Sequence, residues 1–86
     1  MLRISTRTHR GPEDVIGRAV SFFGPGGTGL AITHRSADHV SFEGGGGFVT
    51  VDVIPEEGGT ARAGQLEVTA VTQEWENDVR EFLGRV

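Results

Sequence analysis

Eighty-six residues suffice for one domain with one core, so a single domain over residues 1–86 is expected. The chain has no cysteine, which excludes disulfides and thiolate metal sites and points to the cytoplasm; no apolar leader or long apolar run suggests a signal peptide or a membrane partner. Twelve acids against eight bases, all of them arginine, give a formal net charge of −4, a balance that argues against nucleic acid as a partner.

The chain opens with an alternation. Leu2, Ile4 and Thr6 fall on one face and Arg3, Ser5 and Arg7 on the other, which predicts a half-buried first strand. Pro12 suits the first position of a helix, and Glu13 and Asp14 suit the positive end of its dipole. Val15, Ile16, Ala19, Val20, Phe22 and Phe23 then fall within an arc of roughly 160° at about 100° per residue, and the helix should stop at Gly24-Pro25.

From Gly29 the period changes to two. Alternation assigns Leu30, Ile32 and His34 to the core face, and after a turn at Ser36-Ala37-Asp38 it assigns Val40 and Phe42 inward and His39, Ser41 and Glu43 outward. Four glycines at 44–47 turn the chain into a strand over 48–54, with Val49, Val51 and Val53 inward. A polar loop is expected over 55–59 and a last strand within 60–71, where Leu66, Val68 and Ala70 face in and Gln65, Glu67 and Thr69 face out. Thr72 suits a helix N-cap, and Trp75, Val79, Phe82, Leu83 and Val86 then recur at helical spacing over 73–86. The predicted fold is α+β: a five-stranded antiparallel sheet, built as strand, helix, four strands and helix, with both helices packed on one apolar face.

This order of elements resembles the TATA-binding-protein-like arrangement. It also resembles a shortened START-like helix-grip fold, through Gly11-Pro12-Glu13-Asp14-Val15 at the start of the first helix and Trp75, Val79, Phe82 and Leu83 in the last. The START-like resemblance implies a small apolar ligand held between the sheet and the final helix, and it carries over no catalytic residue.

Several motifs invite chemistry. Gly24-Pro25-Gly26-Gly27-Thr28-Gly29 has the spacing of a pyrophosphate cradle, but it closes a helix and precedes a strand, the reverse of the context that aims helix amides at phosphate; a helix stop is the expected reading. Alternation separates the three histidines, with His34 inward, His39 outward and His9 beyond the first strand, so they are not expected to converge. His34 reads as a buried imidazole and as the best polar candidate for a ligand pocket, together with Phe42, Trp75 and Phe82. Glu43, Asp52 and Glu67 share the outer face with Arg3 and Arg7 as partners, and flat neighbouring strands lack the enclosing loop of a calcium or magnesium site. No serine or threonine has an acid and a histidine near it in a pattern that signals nucleophilic catalysis. Neither a catalytic residue, a cofactor nor a metal is therefore assigned.

Phe48 and Ile54 break the polar pattern of the outer face, with Val71 expected near Phe48 across the neighbouring strand. These three are the candidate interface of a homodimer. The expected function is a non-enzymatic binding or protein-interaction module, the alternative being the START-like carrier.

Overall fold

The computed structural model describes residues 1–55 and 65–86. It contains β1 (Leu2–Thr8), α1 (Pro12–Phe23), β2 (Ala31–Arg35), β3 (His39–Gly44), β4 (Gly47–Pro55), β5 (Leu66–Gln73) and α2 (Glu76–Arg85). The strands form one antiparallel sheet in the order β1-β5-β4-β3-β2. This is the α+β arrangement predicted, with β2 to β5 as a meander and α1 carrying the chain from one edge of the sheet to the other. The loop expected over 55–59 and the first part of the last predicted strand fall, from residue 56 on, outside the described residues.

Val40 and Phe42 of β3, Val49, Val51 and Val53 of β4, and Val68 and Ala70 of β5 are buried on one face. Val15, Ile16, Ala19 and Phe23 of α1 and Val79, Phe82 and Leu83 of α2 close over them. Phe23 stands at the centre, its ring 5.5 Å from that of Phe42 and 5.4 Å from that of Phe82, in the tilted and edge-on arrangements that aromatic quadrupoles favour.

The helix stop after α1 is built from its own carbonyls. Phe22 O accepts both the amide and the hydroxyl of Thr28, and Gly24 O accepts the amides of Gly27 and Gly29. Those amides are committed to the chain itself, as a helix-closing turn requires. In the β3–β4 hairpin Gly44 pairs with Gly47, and Gly45 and Gly46 have φ of 61° and 82°, the pair of left-handed residues of a two-residue type I′ turn.

Three expectations are corrected. Thr72 does not cap α2: β5 runs on to Gln73 because Thr72 is paired on both sides, to Leu2 and to Val49, and its buried hydroxyl donates to Phe48 O at 2.7 Å. Glu74, with φ of 81°, then turns the chain, so Trp75 sits at the N-cap of α2 and not on the helix's buried stripe. Its ring lies against Gly45 and its indole Nε1 donates to Gly44 O at 2.9 Å, so the tryptophan fastens the start of α2 to the hairpin.

The third correction is His34. Ile32 pairs with Phe42 but His34 pairs with Ser41, so β2 carries a bulge between them that reverses the alternation. His34 therefore joins the outer face, and Arg35 takes the place opposite the inward Val40. All of β2 is exposed, at the edge of the sheet.

Candidate functional site: the open face of the sheet

Both helices lie on one side, so among the described residues the other face of the sheet is open. Register places its side chains in rows across the strands. One row reads Arg3, Val71, Thr50, Ser41 and His34; the next reads Ser5, Thr69, Asp52 and His39.

These two rows are joined by hydrogen bonds. His39 Nδ1 lies 2.6 Å from Asp52 Oδ1 and His39 Nε2 lies 2.8 Å from Ser41 Oγ. A carboxylate only accepts, so in the tautomer that carries its proton on Nδ1 the imidazole donates to Asp52 and Nε2 is the nitrogen that can accept from the Ser41 hydroxyl. On the β1 side Ser5 Oγ and Thr69 Oγ1 are 3.0 Å apart, and Thr69 Oγ1 donates to Glu67 Oε1 at 3.4 Å. The His34 ring is 5.2 Å from that of His39, tilted by 60°.

Two of the three histidines thus meet, against expectation, because the β2 bulge turns one of them outward. His9 remains apart, its Nε2 3.5 Å from Gln65 Nε2. An aspartate, a histidine and a serine also stand in line, an arrangement not expected from the sequence. The signal was present in the sequence. His39 and Ser41 are two apart on one strand, and a two-residue turn at Gly45-Gly46 pairs Gly44 with Gly47 and, by counting outward, His39 with Asp52.

The candidate interface residues all lie on this face. Phe48 stands between Glu43 and Gln73, and Val71 stands between Thr50 and Arg3, so the two are diagonal neighbours and both are half-buried. Ile54, opposite Glu67, is exposed and lies roughly 20 Å along β4 from Phe48, beyond Thr50 and Asp52. It is not part of the same patch. At the hairpin lies an open, shallow hollow of about 530 Å³ lined by Glu43, Gly44, Gly46, Gly47, Phe48 and Gln73.

The four candidate pocket residues are dispersed. Phe42 and Phe82 pack on Phe23 in the core, Trp75 lies at the hairpin, and His34 is on the open face. Phe82 also borders an open groove of about 620 Å³ between the helices, with Gly17, Arg18, Phe22 and Arg85, and among the described residues no strand residue lines that groove. No group of three His, Cys, Asp or Glu among the described residues is placed to hold a metal ion. No helix among them is long and apolar enough to cross a membrane.

No protein-family model, no curated protein and no solved structure matches this chain. The functional reading therefore rests on the geometry of the face.

Proposed function

We propose that the protein is a small interaction module that pairs with a second copy of itself through the hairpin end of its open sheet face. The observation that carries this reading is the diagonal pair Phe48 and Val71 on the face that neither helix covers, with Phe48 lining a hollow at the glycine hairpin. A two-fold contact is self-complementary, so the ring of each Phe48 would seat in the hollow beside the other. Charge favours the same arrangement. Arg3 lies on edge strand β1 and Glu43 on β3, so a two-fold axis along the strands brings the arginine of each copy towards the glutamate of the other.

Sedimentation equilibrium over a range of concentrations tests it. The native protein is expected to approach twice the monomer mass, and Phe48→Asp to remain monomeric with an unchanged circular dichroism spectrum. A native protein that stays monomeric, or a dimer that ignores the substitution, contradicts the proposal.

A further inference from the structure

We propose that Ser41 is an activated nucleophile that accepts an acyl group from small activated esters, with His39 as its general base, Asp52 as the positioning residue that orients His39, and His34 as a donor to the developing oxyanion. This goes beyond the interaction reading: every group belongs to one chain, and because Ser41 is a diagonal neighbour of Phe48 on the same face, pairing would cover it and the chemistry is read on the unpaired chain.

Nucleophilic serines are recognised by geometry and role, not by sequence order. Three requirements are met here. The base is within reach of the nucleophile, 2.8 Å from His39 Nε2 to Ser41 Oγ. It is oriented by a third group, Asp52, at 2.6 Å on the other ring nitrogen, which selects the tautomer whose Nε2 lone pair faces the hydroxyl. The side chains are also held by rigid elements: His39 and Asp52 are direct partners across β3 and β4, and Ser41 is two residues from His39 on the same strand. Ser41 itself is half-buried on the open face, so a small electrophile reaches it.

The fourth requirement is a donor for the oxyanion, and the bulge in β2 bears on it. β3 is paired on both sides, so its amides belong to the sheet ladder and donors must come from neighbouring side chains. Ser41 has Thr50 opposite it on β4 and His34 opposite it on β2. His34 holds that place only because of the bulge at 32–34; strict alternation would have turned it to the helix side. Bulges commonly re-aim one side chain beside a reactive site, and the re-aimed residue here carries an N–H donor.

In the reaction Ser41 Oγ attacks the ester carbonyl carbon and its proton passes to His39 Nε2. Negative charge gathers on the former carbonyl oxygen, towards His34. The intermediate collapses by breaking the bond to the leaving oxygen, which departs with the proton from His39 and leaves acyl-Ser41 and one alcohol. Side-chain donors on an open face are weaker than a preorganised pair of amides, so release of the acyl group to water should be slower than its capture.

The test uses p-nitrophenyl acetate and a fluorophosphonate with the full chain, and with Phe48→Asp so that pairing plays no part. A burst of one p-nitrophenolate per chain is expected, with one acetyl or phosphonyl group mapped by mass spectrometry to Ser41. Ser41→Ala should abolish the burst, and His39→Gln should slow it by about 10²-fold or more. Asp52→Asn should slow it and displace its pH profile, which a merely structural role would not do. His34→Ala should slow acylation while leaving that profile in place. Circular dichroism of each variant verifies folding. Labelling at other serines, or at Ser41 with the same rate in His39→Gln or in urea-unfolded chain, overturns the proposal, as does the absence of labelling in folded, monomeric Phe48→Asp.

Discussion

The central strands present one backbone to two different surroundings. Towards the helices Val40, Phe42, Val49, Val51, Val68 and Ala70 are fully buried, and each such side chain larger than alanine contributes about 1.5–3 kcal/mol by leaving water. On the opposite face His39, Ser41 and Asp52 are half-buried and joined by directed hydrogen bonds, each contributing about 0.5–1.5 kcal/mol. Stability therefore resides mainly on one side of the sheet. The other side contributes less to holding the fold together.

The largest effect should come from the centre of the covered face. Phe23→Ala removes the ring that contacts Phe42 and Phe82 and should cost about 3–5 kcal/mol, enough to unfold much of a domain this small. A urea midpoint that does not move would mean that the covered face does not hold the fold together.

Next is the hairpin that links the two faces. Gly45→Ala meets both a left-handed backbone and the Trp75 ring, whereas Gly46→Ala meets the backbone alone, with open space around the added carbon. The first should cost about 2–3 kcal/mol and the second about 1–2. Equal shifts in thermal midpoint would show that the indole does not bear on the turn. Trp75→Phe keeps most of the packing and loses the bond to Gly44 O, for about 1 kcal/mol by chemical denaturation.

The smallest effect belongs to the open face. Asp52→Asn should change stability by less than about 1 kcal/mol, because the partly exposed pair with His39 is well solvated. A loss of several kcal/mol on denaturation would mean that the polar rows hold the fold together.

The same contrast explains what was legible in the sequence. Period-two alternation placed Val40, Phe42, Val49, Val51, Val53, Val68 and Ala70 correctly because those strands are paired on both sides, where a slip of one residue would expose the whole apolar set. At edge strand β2 no such penalty operates, and the bulge that brought His34 out has no signature in Ile32-Thr33-His34. The helix bounds of α1 followed from Pro12 and Gly24, where local chemistry decides. Those of α2 did not, since the strand claims Thr72 through pairing with Leu2 and Val49, contacts distant in sequence. Of the site, the alignment of His39, Ser41 and Asp52 could be counted from the glycine turn, whereas the meeting with His34 required the structure.

If the protein engages a second copy through its open face, as proposed, amide NMR spectra recorded at rising concentration will show where the contact lies. Shifts are expected at Glu43, Phe48, Val71 and Gln73, with the amides of α1 and α2 unchanged. Shifts confined to the groove between the helices, around Gly17 and Arg85, would place the contact on the opposite side and contradict it.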